Sequence, residues 1–106
     1  MIKRMKKRYV AFSSNPKTSP DLLFKLILSS YRELFGVLGL SSAHLKLVRT
    51  YPDKGIVVLH CALEKVPHLI LSAAAITHLN GDRIAVRTIT VSGTMKSIKE
   101  RLRNIN

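Results

Sequence analysis

"LKLVRTYPDKGIVVLHCAL", residues Leu45 to Leu63, is two extended runs separated by a turn. Leu45–Tyr51 and Ile56–Leu63 are rich in the apolar and β-branched residues of strands, and Pro52-Asp53-Lys54-Gly55 between them supplies turn chemistry, so the stretch reads as a β-hairpin. The second run opens Ile56-Val57-Val58-Leu59, apolar on both faces, which implies that both faces of the sheet are covered. Upstream of the hairpin, Ser19-Pro20-Asp21 is a helix start: a capping hydroxyl, proline in the first turn and an acid near the positive end of the helix dipole. Leu23, Ile27, Tyr31, Leu34 and Leu38 follow at helical spacing, predicting an amphipathic helix from Pro20 to about Phe35 that Gly36 and Gly39 end. Downstream, "EKVPHLILSAAAITHL" (Glu64–Leu79) predicts a second helix with Pro67 in its first turn and Asn80-Gly81 as a left-handed C-cap.

Further out lie two more strands, "RYVAFSS" (Arg8–Ser14) and "RIAVRTITV" (Arg83–Val91), and a last helix, Met95–Arg103. The order is β-α-β-β-α-β plus a terminal helix. That is an α+β fold: the ferredoxin-like (RRM-like) βαββαβ sandwich on an antiparallel four-stranded sheet. Met95, Ile98 and Leu102 form one apolar stripe, suited to cover the sheet face that the first two helices leave bare. Leu23, Ile27, Val58 and Ile70 are expected in the core. The 106 residues fit one domain (1–106), with residues 1–7 as a basic arm.

Lys and Arg number 18 against 6 Asp and Glu, a net charge of +12, which predicts affinity for a polyanion. Nucleic acid fits better than a membrane. The longest apolar stretch, Leu69–Ile76, is interrupted by Ser72 and too short to span a bilayer, and after the basic start only "YVAF" precedes "SSNPKTSP", so no signal-peptide core follows. A single cysteine, Cys61, excludes an internal disulfide and fits a reducing, cytoplasmic setting.

The first and last strands are antiparallel neighbours in this topology, so Arg8 is expected beside Val91–Gly93. Lys3, Arg4, Lys6, Lys7 and Arg8 of the arm then join Lys96, Lys99 and Arg103 of the last helix in one RNA-binding patch, with Arg87 added from the strand. Between them, Ser92, Gly93 and Thr94 cap the last helix and offer free N–H groups to a phosphate. RRM-style reading of bases on the sheet face is not expected, because Ile56–Leu59 lacks aromatics. Lys46 and Arg49 are expected to protect a sheet edge. His44, His60, His68 and His78 make no metal-ligand spacing with Cys61, and no nucleophile–base arrangement or carboxylate pair is visible, so neither a metal site nor an intrinsic catalytic site is expected.

"RYVAF", "ELFG" and "NGDRIAVRTITVSGTMK" resemble, in order and spacing, the archaeal ribonuclease P protein component 2 family over nearly the whole chain. The resemblance implies a non-catalytic subunit of the ribonucleoprotein that removes 5′ leaders from precursor tRNA. The RNA subunit would carry the catalytic magnesium, and the protein itself would bind no cofactor. It also implies three partners: ribonuclease P RNA, the barrel-fold protein subunit (component 3), and a second copy of this chain. "EKVPHL" departs from the family by placing Pro67 and His68 where basic residues are common. The alternatives are a ribosomal or other structural RNA-binding protein of the same fold and a dimeric small-ligand regulatory domain, which the charge disfavours. An acylphosphatase-like hydrolase would need arginine in the loop after the first strand, and "SSNPKTSP" has none.

Overall fold

In the computed structural model, which describes residues 6–103, the chain runs β1 (Lys7–Asn15), α1 (Pro20–Ala43), β2 (Lys46–Tyr51), β3 (Ile56–Ala62), a 3-10 turn (Leu63–Lys65), α2 (Val66–Ala74), β4 (His78–Leu79), β5 (Asp82–Arg83), β6 (Ala85–Ser92) and α3 (Met95–Arg103). The main sheet has the order β2-β3-β1-β6, antiparallel throughout, with the hairpin strand β3 and β1 in the centre. This is the expected ferredoxin-like connectivity.

Alternation along the central strands divides their side chains between two cores. Val10, Phe12, Val57, Leu59 and Cys61 pack with Leu23, Ile27 and Tyr31 of α1 and Leu69 and Ala73 of α2. Ala11, Ile56 and Val58 point the other way and are covered by Ile98 and Leu102 of α3, with Tyr9, Tyr51, Ile89 and Met95 at the border. The two-sided apolar character of β3 is thereby accounted for: all of Ile56–Leu59 is buried. Of the expected core residues, Leu23, Ile27 and Val58 are fully buried, while Ile70 is only half-buried and its neighbour Leu69 takes the inward position.

Ser19 caps α1 as expected, its Oγ accepting the Leu22 N–H at 3.4 Å. The predicted end of the helix at Gly36 and Gly39 is corrected. Gly36 does leave helical geometry, at φ 77 and ψ 176, but the chain bends there and resumes helix as far as Ala43, with His44 as a left-handed C-cap. Residue 36 breaks the geometry because glycine tolerates that conformation, and the second segment persists because Leu40 and the buried Ala43 hold it to the core. The apolar stripe is corrected as well. Leu23, Ile27 and Tyr31 are buried, but Leu34 is 47% and Leu38 86% exposed. The inward place after Tyr31 goes to Phe35, one turn on, whose ring packs on Tyr31 (centroids 5.0 Å apart) and stacks on His68 (4.3 Å).

The second helix stops at Ala74 rather than Leu79. Asn80-Gly81 is not a helix cap but the two-residue turn of the β4–β5 hairpin, where His78 pairs with Arg83 and Leu79 with Asp82. Both turn residues have positive φ, 52 and 87, as a type I′ turn requires. The last strand accordingly begins at Ala85 rather than Arg83.

Candidate nucleic-acid interface

Of the predicted arm, Lys3 and Arg4 lie outside the described residues. Lys6 is exposed ahead of β1, and its carbonyl accepts the Leu63 N–H at 2.8 Å, prolonging the β1–β3 ladder. Lys7 and Arg8 are not arm residues. They open β1, opposite Ala62 and Cys61. Strand pairing pins them because Tyr9 lies opposite His60 on one side and Ser92 on the other.

That register brings the first strand to the end of the last one. The Arg8 side chain lies against the Ser92–Thr94 turn, so that a Cβ placed on Gly93 would sit 3.7 Å from its Nη1. The guanidinium also donates to the Lys7 carbonyl at 2.8 Å. Gly93 does not adopt a left-handed conformation, so the turn owes nothing to glycine's φ freedom; a side chain there would meet Arg8 at ordinary contact distance. The expected meeting of the first strand with the end of the last is thus present for Arg8 and the turn.

Within the turn the hydroxyls serve the helix. Thr94 Oγ1 accepts the Ser97 N–H at 3.2 Å, and Ser92 Oγ accepts the Thr94 N–H at 3.3 Å. Capping the Ser97 amide satisfies one of the first-turn donors, at the positive end of the α3 dipole. α3 continues the positive surface: Lys96, Lys99 and Arg103 are exposed, on the side away from the buried Ile98 and Leu102.

Arg87 is set apart from this patch. It is exposed on β6 opposite Ser13, roughly 15 Å down the strand from the turn at about 3.3 Å per residue. There it lines an open cleft of about 370 Å³ with Ser13, Ser14, Asn15 and Ala85.

Arg101, which its sequence position alone did not single out, adds a polar tie between α3 and the sheet. Its Nη1 donates to Thr90 Oγ1 and to the Val91 carbonyl, the latter at 3.0 Å. Thr90 is available because the β1–β6 register slips between Ala11, opposite Thr90, and Phe12, opposite Thr88. The extra residue of this bulge puts Ile89 and Thr90 both on the α3 side, which simple alternation would not predict. The only signal in the sequence was the position of Arg101 three residues after Ile98, on the flank of the apolar stripe. At the other end of α3, Lys54 Nζ donates to the Leu102 carbonyl at 2.9 Å, a cation at the negative end of the helix.

Lys46 and Arg49 are exposed on the edge strand β2, as expected, and Arg49 lies 5.2 Å from the centroid of the Tyr51 ring. Cys61 is buried, and burial pushes its thiol up to about 11. No described helix is long and apolar enough to cross a membrane.

Comparison with known proteins adds an independent line. The family model of the Rpp14/Pop5 family matches residues 8–103. The chain is 35% identical over 101 residues to ribonuclease P protein component 2 of Methanosarcina mazei, covering 92% of this chain and 84% of that protein. It is 32% identical over 100 residues to the protein of the same name from Pyrococcus abyssi, covering 92% of this chain and 85% of that one. A chain in the cryo-EM structure of yeast ribonuclease MRP superposes with a TM-score of 0.66 over 97% of this chain and 95% of that chain; at 9% sequence identity, the likeness is one of fold.

Proposed function

The chain belongs to the Rpp14/Pop5 family, and on that basis we propose that it is a non-catalytic, RNA-binding subunit of ribonuclease P, supporting the catalytic RNA in removing 5′ leaders from precursor tRNA. One observation carries the RNA-binding part. Strand pairing sets Arg8 against the Ser92–Thr94 turn, from which α3 starts, with Lys6 and Lys7 exposed just before Arg8 and Lys96, Lys99 and Arg103 exposed along the helix. Such a cationic surface neutralises phosphates that the RNA must otherwise screen with magnesium, so it favours the compact RNA at lower magnesium. The reaction itself belongs to the RNA and its metal ions.

The opposite face of the sheet suits protein partners. Leu34, Val37 and Leu38 on α1 are 47%, 61% and 86% exposed. A run of bare aliphatic side chains of this kind marks a protein contact. The partners proposed for it are the barrel-fold component 3 subunit and a second copy of this chain. The unpaired, buried Cys61 fits a reducing compartment, and the proposed location is the cytoplasm.

The test is capture of the tagged chain from its own cells. The captured material should contain an RNA that cleaves precursor tRNA in magnesium, and nuclease treatment should abolish that activity. Capture of ribosomal RNA alone, without precursor-tRNA cleavage, would place the chain in a different ribonucleoprotein.

A further inference from the structure

One row of residues crosses all four strands of the sheet: Lys46 on β2, His60 on β3, Tyr9 on β1 and Ser92 on β6 are successive cross-strand partners. At roughly 4.8 Å per step the row spans about 14 Å. In its middle the Tyr9 and His60 rings stack, with centroids 4.6 Å apart and planes 24° from parallel. Neither ring is buried. Tyr9 packs at the border of the α3 core, and His60, its cross-strand partner, is half-buried. Helix α3 starts beside Ser92 and runs toward Lys54 at the β2–β3 turn, so that its buried Ile98 and Leu102 cover Ala11, Ile56 and Val58.

Charge surrounds the pair on three sides. Lys46 is exposed at one end of the row, and Lys7 is exposed on β1 two residues before Tyr9, on the same face. Both lysines act on His60: burial first, then Lys7 and Lys46, hold its pKa below the ordinary 6.5, so the imidazole is neutral at physiological pH. At the opposite end, Ser92 opens the turn that Arg8 lies against.

We propose that the Lys46–His60–Tyr9–Ser92 row is a stacking platform for an unpaired nucleobase of RNA. The base lies on the Tyr9–His60 pair. Lys46 and Lys7 take the backbone phosphate on one side, and the Ser92–Thr94 turn takes it on the other. The charge chooses the occupant: a half-buried aromatic pair flanked by cations suits a planar ligand with anionic ends, and base–aromatic stacking tolerates any sequence. Sheet-face reading was not expected from the sequence because Ile56–Leu59 lacks aromatics, but the platform sits one step further along β3, where His60 meets Tyr9 of β1. The proposal rests on the RNA-binding reading and refines it to a single-stranded segment.

The test measures binding of the whole chain to three labelled probes: a short oligouridine, the same strand with abasic sites, and an RNA duplex of equal length. Tyr9→Leu keeps an apolar side chain at the border of the α3 core, and His60→Leu replaces none of that core's residues. Each should weaken binding to oligouridine by about 5- to 100-fold, the range for loss of one stacked base. The salt dependence should stay at the parent slope, because every phosphate-binding group is retained. Tyr9→Phe should bind like the parent, and abasic and duplex probes should not distinguish the variants. Parent-like binding of oligouridine by both leucine variants, or an equal loss on the abasic strand, overturns the platform alone. Failure of the parent to bind any of the three probes overturns the RNA-binding reading with it.

Discussion

Two residues of β3 report on their surroundings through their titration. Cys61 is fully buried among α1, α2 and the sheet, and its thiol is pushed up to about 11 by that burial. Almost no thiolate exists at neutral pH, and the thiolate is the nucleophile. Native protein should therefore label slowly with a thiol reagent, at a rate set by opening of the fold, and labelling at the rate of a free thiol would show that β3 is not held in the core. His60 gives a pH dependence. Its unfolded value is the ordinary 6.5, and its folded value lies below that, through burial and then Lys7 and Lys46. Between the two values the unfolded chain binds more protons, so stability rises with pH through that window and falls on acidification below 6.5. His60→Gln should remove this part of the acid slope, narrowing the gap in Tm between about pH 7 and about pH 5 relative to the parent. An unchanged gap would mean that His60 titrates alike in both states.

At the scale of elements, α1 depends on a conformation that few residues accept. Gly36 sits at φ 77 and ψ 176, between a helical segment buried through Tyr31 and another anchored by Ala43. A Cβ there would meet nothing within 4 Å, so the cost of Gly36→Ala is purely that of the backbone angle. That cost is about 1–3 kcal/mol. Denaturant unfolding should show the loss, and a variant as stable as the parent would mean that α1 runs through residue 36 without its bend. Because Leu34, Val37 and Leu38 flank the bend, the same variant also tests whether the exposed apolar surface needs this geometry. The sequence marked the break but not its consequence. Glycine punctuates a helix in the same letters whether the chain leaves the core or bends and returns to it. Asn80-Gly81 posed a similar ambiguity: left-handed residues serve both a helix C-cap and a hairpin turn. The short pairing of His78–Leu79 with Asp82–Arg83 decided between them.

For the whole molecule the central prediction is that the two ends of the chain act as one phosphate site. The β1–β6 pairing sets Arg8 against the Ser92–Thr94 turn with Lys6 and Lys7 exposed just before it, and Lys96, Lys99 and Arg103 are exposed along α3. Removing a cation that neutralises one phosphate should lower the salt slope of RNA binding by roughly 0.7–0.9. Neutralising either set should thus weaken binding and flatten its dependence on salt while leaving the melting curve intact. Acidic substitutions on the outer face of α2 should have much less effect. Parent slopes for both sets would show that the net charge of +12 acts only by general attraction.

The sequence by itself determined the order of the four long strands and three helices, the central place of β3, the cover that α3 provides and the sign of the surface. These are local or additive properties: apolar periodicity, turn residues and a sum of charges, each legible without knowing what lies opposite. It also carried the family resemblance through short motifs in a fixed order. Register and direction were decided only by the tertiary structure. Arg87 looked like part of the patch because it lies close to the turn in sequence, yet an extended strand carries it well away. No motif in the sequence marked Arg101, which meets Thr90 beside the bulge at Ile89. Tyr9 and His60 stand 51 positions apart in the chain, and only the pairing of β1 with β3 brings their rings together. Strand pairing couples residues across long stretches of chain, and a bulge of one residue changes which of them meet; no pattern within a single segment records that.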